Sequence, residues 1–178
     1  MILPQVRDKR FMLIRRGGMM TNDTHRLLAL WASDCAEHVL PIYEAVCPND
    51  ERPRRAIEAA HSWAAGKITV TQSKEAAGIS QNAARDLTKV SEAAKMAALS
   101  AGQAAVVAHV AAHELGAAAY AIRAVMETSP NYAKEAARIS ECEWQRSRLP
   151  DAIRELVLDD QRLRDDICWF VFTGSGCI

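Results

Sequence analysis

Small apolar residues recur along the second half of the chain in steps that alternate four and three. The series is Ala94, Ala98, Ala101, Ala105, Ala108, Ala112, Leu115, Ala119, Ile122 and Met126. Such steps place every member on one stripe of an α-helix, and a stripe made mostly of methyl groups lets a neighbouring backbone approach closely. A second stripe, from Gly102 through His109 and His113 to Tyr120, runs beside the first. The pattern predicts one long alanine-rich helix at the centre of a bundle, roughly 55 Å long at about 1.5 Å per residue.

Capping residues and apolar spacing predict three helices before the alanine-rich segment. Residues 21–24 supply the caps of the first helix. Pro41, which lacks an amide proton, predicts that this helix kinks or ends at the preceding residue. Pro53 has the preset φ of a first helical residue and begins the second helix. Thr69 and Gln72 have the spacing of a capping box and predict the third.

Two further helices are predicted after the alanine-rich segment. Ser129 and Pro130 have the order of a cap and a first helical residue, for a helix that ends near residue 148. Pro150 and Asp151 begin the other helix in the same way. The sequence therefore predicts an all-α fold, a single-domain bundle of about six helices around the long alanine-rich one.

The two ends of the chain are predicted to lie outside this bundle. Residues 1–20 form an N-terminal arm, in which the apolar run 11–14 indicates a short strand or an extended segment packed on the bundle. The helical domain covers residues 21–172. The Gly-rich residues 173–178 are predicted to be a flexible tail.

Length and charge limit the classes of function. A chain of 178 residues can bury one core without metal or disulfide staples. Its 22 basic residues balance 22 acidic ones, so the net charge is zero. A neutral chain has no long-range field that would attract nucleic acid or acidic lipid, and we predict neither as a partner. Zero net charge does not exclude binding through local charged patches.

Three features predict a cytoplasmic location. Charged residues at positions 7–10 interrupt the apolar core that a signal peptide would need. The apolar stretch 97–125 includes Gln103, Glu114 and Arg123, which favours a buried helix over a membrane span. The five cysteines are odd in number and form no C-x-x-C pair, as is typical of reduced thiols.

His109 and His113 are the sharpest chemical signal, because histidines four apart on a helix can ligate one metal ion. Glu114 follows the pair, whereas the H-E-x-x-H motif has its acid inside the pair. A third ligand would have to come from His61 or Cys142. Since neither has a matching spacing, the two histidines are predicted to be packed and hydrogen-bonded. We predict no cofactor and no catalytic residue, with a metal site at His109, His113 and His61 as an alternative.

Two other sets of residues also have a structural and a functional interpretation. Cys35 and His38 are three apart and resemble part of a nucleophilic site. Cys35 also falls on an apolar stripe, where a buried thiol is inert, and this interpretation is favoured. Trp144 and the pair Trp169 and Phe170 either pack into the bundle or form a partner-binding patch.

Charged residues at the start of the second helix are the candidate partner surface. Arg54 and Arg55 could hold a phosphate at the helix start. Arg54 is more simply expected to pair with Glu58, four residues further on. The predicted partner-binding residues are Arg52, Arg54, Arg55 and Glu58.

Six segments in order carry a resemblance to a known family. They are IRRGG, HRLLALWASDCAEHVLP, RPRRAIEAAHSWAAGK, AHVAAHELGAAAYAIRAV, EWQRSRLPDAIRELVL and RLRDDICWFVF. From residue 14 to residue 172 the chain resembles the bacterial immunity proteins of the immunity-five-like family. It departs from the family pattern at residues 78–91, where the family has an alanine-rich helix followed by Asp-Pro.

The resemblance implies a small cytoplasmic helical protein without catalytic activity. Such a protein would bind the cognate toxin of a polymorphic or contact-dependent system and block it. Two alternatives remain open beside this expectation. One is the metal-dependent protein described above, and the other is a structural or regulatory homodimer in which the alanine seam packs against its own copy.

Overall fold

Seven α-helices account for most of residues 3–173, which are the residues that the computed structural model describes. They are α1 (Asn22–Glu44), α2 (Arg52–Ala64), α3 (Val70–Asp86), α4 (Glu92–Val106), α5 (Glu114–Thr128), α6 (Lys134–Ser147) and α7 (Asp151–Arg164). No β-strand occurs in this range. The prediction of a single all-α domain is confirmed.

The predicted long central helix is wrong in one respect, because the structure divides it into α4 and α5. The chain leaves the helix after Val106, and Val110 adopts an extended conformation with φ −138° and ψ 112°. A short 3₁₀ turn, Ala111–His113, then leads into α5. The heptad pattern continues through this break without interruption, and no Gly or Pro marks it, so the spacing alone gave no sign of it.

Side chains from two other helices satisfy backbone carbonyls at the break. Nε2 of His25, in α1, lies 2.7 Å from the carbonyl oxygen of Val107. Arg164, in α7, donates to the carbonyl oxygen of Ala112 at 2.9 Å. Buried carbonyls without a donor are costly, and these two bonds remove that cost. The β-branched valines around the break have lower helix propensity than alanine, which favours a turn at this place.

The alanine stripe is buried as predicted, although two helices carry it. Serine hydroxyl groups donate to backbone carbonyls across two of the helix contacts. Ser100 donates to the carbonyl of Ala117 at 2.8 Å and joins α4 to α5, and Ser80 donates to that of Ala98 at 2.8 Å and joins α3 to α4. The alanines of α4 and α5 on this stripe are at most a few per cent exposed. Thus α4 is packed between α3 and α5 and also against α1.

Helix α1 ties the C-terminal half of the chain to this core. Trp31 is 1% exposed and donates from Nε1 to the carbonyl of Gln145 in α6 at 2.9 Å. The helix passes through Pro41 and continues to Glu44. Glu37, whose carbonyl loses a helical donor at Pro41, is exposed, so water can replace that donor.

Two predicted helix starts are tested by the capping contacts. Thr69 and Gln72 form the predicted capping box of α3. The prediction at Ser129 is wrong, because the amide of Ser129 donates to the carbonyl of Met126 and ends α5. A 3₁₀ turn at Asn131–Ala133 follows, and α6 begins only at Lys134.

The sequence predicts a short strand or an extended segment packed on the bundle for the N-terminal arm, and the structure shows a segment that packs on the bundle and forms no strand in its described residues. It contains two 3₁₀ turns and one isolated bridge between Leu13 and Met20. Phe11, Leu13 and Met20 are buried. Arg10 holds the segment to α7 through an ion pair with Asp159 at 2.5 Å. Of the predicted tail 173–178, residues 174–178 lie outside the described residues.

The described helices include none that has both the length and the apolar character needed to cross a membrane.

Two glycines on different helices offer a matched test of the packing. A Cβ added to Gly116 would lie 2.4 Å from Oε1 of Gln103, whereas a Cβ added to Gly78 meets nothing within 4 Å. We expect Gly116→Ala to lower the free energy of unfolding by about 1–2 kcal/mol, because Gln103 must move away from His113. Gly78→Ala should raise it by about 0.5–1 kcal/mol through helix propensity.

Urea unfolding followed by circular dichroism measures both variants of this pair. Equal effects of the two substitutions would contradict the close approach of α4 and α5 at Gly116.

Candidate functional site

His109 and His113 lie in the break between α4 and α5, not on successive turns of one helix. His109 belongs to the turn after α4, and His113 ends the 3₁₀ turn before α5, so the helical spacing is lost. Nδ1 of His113 lies 2.7 Å from Oε1 of Gln103. Burial, and after it the charge of Arg164, lowers the pKa of His113 to about 4. His113 is therefore neutral at pH 7 and hydrogen-bonded.

His61 lies with two carboxylates of α1. One potential ligand atom each from Asp34, Glu37 and His61 lie within 4.8 Å of one another, and no other group of three in residues 3–173 does so. Burial raises the pKa of Asp34. Exposed acidic side chains often gather without a metal ion, so the grouping alone defines no metal centre. The candidate set His109, His113 and His61 is not brought together.

Glu114, which follows the histidine pair, is fully buried against α7. Arg164 donates to its Oε1 at 3.0 Å and also binds Asp160. Burial raises the pKa of Glu114 well above its usual range, and the charge of Arg164 opposes this rise. A carboxyl enclosed in this way is out of reach of a substrate. Its contact with Arg164 holds α7 against the break.

Cys35 is buried, whereas the His38 side chain contacts residues of α6. Cys35 is 0% exposed, and burial raises its pKa well above that of a free thiol, so it stays protonated and unreactive. Nδ1 of His38 lies 2.9 Å from Oε2 of Glu141. The His38 ring stacks on Trp144 with centroids 3.6 Å apart. These residues pack α1 against α6 and do not form a nucleophilic site.

Acidic neighbours engage the three arginines of the predicted partner surface. Arg52 binds Asp50 and Asp86 at 2.6 and 2.8 Å. Arg54 binds Glu44 at 2.5 Å, which replaces the predicted pair with Glu58. Arg55 binds Glu51 at 2.8 Å. The charge of each arginine is thus offset locally, and exposed ion pairs of this kind contribute little to binding.

A different surface carries exposed aromatic side chains, and we call it the Trp169 surface. It consists of Tyr120, Arg123, Trp169 and Phe170. Trp169 is 42% exposed and Phe170 62% exposed. The guanidinium of Arg123 lies over the Trp169 ring, 4.4 Å from its centroid, and the rings of Tyr120 and Trp169 are 5.2 Å apart. Arg123 forms no ion pair with a described acidic residue.

The backbone at the Trp169 surface is strained. Trp169 and Phe170 have φ values of 58° and 57°, in the left-handed region that residues with a side chain rarely adopt. Each costs on the order of 1–2 kcal/mol. Buried anchors hold the strained turn in place, because Val171 and Phe172 are 3% and 1% exposed. Their carbonyls accept hydrogen bonds from α6, as when Arg138 donates to that of Val171 at 2.8 Å.

Sequence reasoning identified only part of this surface. It named Trp169 and Phe170, but it left open whether they are buried or exposed. It missed Tyr120 and Arg123, which lie three residues apart on the less buried side of α5. Their three-residue spacing within an alanine-rich segment could have indicated this surface. Two large side chains with polar ends do not fit a helix contact that is made by alanines, so they are expected to lie on another side of the helix.

The chain is an all-α domain whose exposed Trp and Arg side chains are of the types that contribute most to many protein–protein interfaces. A family model described as Imm-5 like putative immunity protein matches residues 18–152. The chain belongs to this family, and the resemblance found in the sequence is confirmed. Searches of curated proteins and of solved structures found no match. The matched residues include α1–α6 but end before Trp169.

The low pKa of His113 leads to a pH dependence of stability. Its folded pKa is about 4, below the value of about 6.5 for an exposed histidine. The unfolded chain therefore binds the proton first, so stability is fully present above about pH 6.5 and falls as the pH decreases toward 4. We expect the loss of unfolding free energy between pH 7 and 5 to be roughly 1–2 kcal/mol larger for the native chain than for His113→Gln.

Urea titrations of both proteins at several pH values measure this difference. Parallel pH profiles for the native chain and His113→Gln would contradict the lowered pKa, because they would place the folded pKa of His113 close to that of an exposed histidine.

Proposed function

We propose that this protein is an immunity protein that binds a cognate toxin of a polymorphic toxin system in the cytoplasm and blocks it by contact. Membership of the immunity family supports the role. The proposed mechanism is occlusion, which needs no catalytic group and no cofactor. A rigid scaffold suits this mechanism, because a preformed interface loses little entropy on binding.

The Trp169 surface is the observation that carries the proposal. Trp, Tyr and Arg side chains are the residues that most often dominate protein–protein affinity, and here Tyr120, Arg123 and Trp169 lie together. Phe170 extends the surface with a ring that is 62% exposed. A strained turn that keeps two aromatic rings partly in water costs stability, and functional sites are where such strain is commonly kept.

The charges around the Trp169 surface indicate the chemistry of the toxin surface. Next to Tyr120 is a shallow depression lined by Arg85, Leu99 and Gln103. Arg85 bonds to Asn82 and forms no ion pair with a described acidic residue. Arg123 over the Trp169 ring and Arg85 in the depression next to Tyr120 are thus two cations without acidic partners among the described residues. A toxin surface with apolar residues bordered by carboxylates would complement this arrangement.

Single aromatic substitutions test the docking surface. The partner for the test is the C-terminal domain of a large secreted protein encoded in the neighbouring reading frame, co-expressed with the native chain. We expect Trp169→Ala to weaken binding by about 2 kcal/mol or more, about 30-fold, because a central aromatic contact is lost. Tyr132→Ala is the matched control, since Tyr132 is 92% exposed and lies outside the Trp169 surface. It should leave affinity and growth rescue unchanged.

The same experiment distinguishes docking at the Trp169 surface from docking at the arginines of α2 that the sequence predicted as the partner surface. If Arg54→Ala and Arg55→Ala abolish rescue while Trp169→Ala retains it, the docking site is on α2. If light scattering shows a dimer that Trp169→Ala dissociates, the Trp169 surface joins two copies of this chain. Failure of the native chain to bind or to rescue growth would contradict the proposed function with that toxin domain.

A further inference from the structure

A cavity of about 270 Å³ lies between the N-terminal segment, the break after α4 and the end of α7. Apolar side chains from all three parts of the chain form most of its wall. They include Leu3, Val6, Phe11, Leu13, Val110 and Leu163. The cavity is slightly smaller than the roughly 300 Å³ at which typical ligand sites begin, and like them it is apolar with a few polar groups, so it suits a small ligand.

Two arginines lie at the opening of the cavity. Arg7 and Arg16 are exposed and line it, together with the imidazole of His109. Partial burial, and then the positive charges of Lys74, Arg16 and Arg7, lower the pKa of His109, so its ring is neutral at pH 7. We call Arg7 and Arg16 the cationic rim. Neither Arg7 nor Arg16 forms an ion pair with an acidic residue in the described part of the chain.

The acidic groups of the cavity wall are already engaged by other cations. Asp8 accepts hydrogen bonds from Arg10 at 2.8 Å. Asp160 is bound by Arg164. Each acidic side chain of the wall is therefore paired, whereas the arginines without an acidic partner at the opening, Arg7 and Arg16, carry positive charge. An anion at the rim would meet a favourable field over a distance comparable to the Debye length of about 8 Å.

We propose that this cavity binds a small amphipathic carboxylate, with its alkyl chain inside the cavity and its carboxylate at the cationic rim. The cavity of about 270 Å³ is small, which limits the alkyl chain of the ligand to a medium length such as that of octanoate. Arginine is well suited to the carboxylate because its guanidinium can donate two parallel hydrogen bonds. This site is separate from the Trp169 surface and does not depend on the proposed function.

Calorimetric titration of the whole protein with octanoate, and in parallel with octan-1-ol, tests the proposal. The two probes share an alkyl chain and differ in charge. We expect octanoate to bind at least about tenfold more tightly than octan-1-ol, and this preference should shrink as the salt concentration rises. Absence of octanoate binding at millimolar concentration, or equal affinity for acid and alcohol, would overturn the proposal.

Substitutions at the rim assign the charge preference to particular residues. The double variant Arg7→Gln with Arg16→Gln should weaken octanoate binding about tenfold and leave octan-1-ol within about twofold. Arg54→Gln with Arg55→Gln removes the same charge from α2 and is the matched control, which should keep the native affinity. If both double variants lose the same affinity for octanoate, the effect comes from net charge and the rim does not bind the carboxylate.

A second substitution tests the cavity itself. Leu163 lines the cavity and is 62% exposed, so α7 can accept a larger side chain there without losing core packing. Leu163→Trp should reduce the affinity for both probes about tenfold or more by occupying part of the space. Unchanged affinity for both probes in a variant with native circular dichroism would place binding elsewhere.

Discussion

The structure depends on the hydrogen bonds that close the break between α4 and α5. A helix that stops inside a protein leaves carbonyl groups without donors, and water cannot reach them there. His25 supplies one donor and Arg164 another, from helices at opposite ends of the sequence. Contacts from both α1 and α7 therefore stabilise the break. Burial lowers the pKa of His25, so its ring is neutral and needs no counter-ion in this position.

Compactness explains why the break is favoured over the long helix that the alanine spacing predicts. A single helix of that length would be roughly 55 Å long. A domain of 178 residues has a radius of gyration of about 16 Å and is therefore about 40 Å across. The ends of a straight helix would leave the core and expose their alanines. Folding back after Val106 lets Ser100 meet Ala117 across the hairpin, so that both halves of the stripe contribute to one core.

The sequence predicts the helices and the buried alanine stripe better than it predicts the break between helices and the exposed surfaces. The capping box at Thr69 is a local contact, and the local pattern was sufficient to find it. The break after Val106 depends on His25 and Arg164, which are distant in sequence, so no local pattern contains it. The exposure of Trp169 has a similar origin, because it follows from the anchoring of Val171 and Phe172 on α6. Helical spacing describes one segment, whereas these features come from contacts between segments.

Zero net charge describes the chain as a whole, but a binding site responds to the charges near it. Fields between exposed charges are largely screened beyond about 8 Å at physiological salt. Arg52 is offset by Asp50 in direct contact, whereas Arg123 and Arg16 form no ion pair with any described acidic residue. The Trp169 surface and the cationic rim can therefore both attract anionic groups on a molecule that is neutral overall, and the balance of charge excludes long-range attraction only.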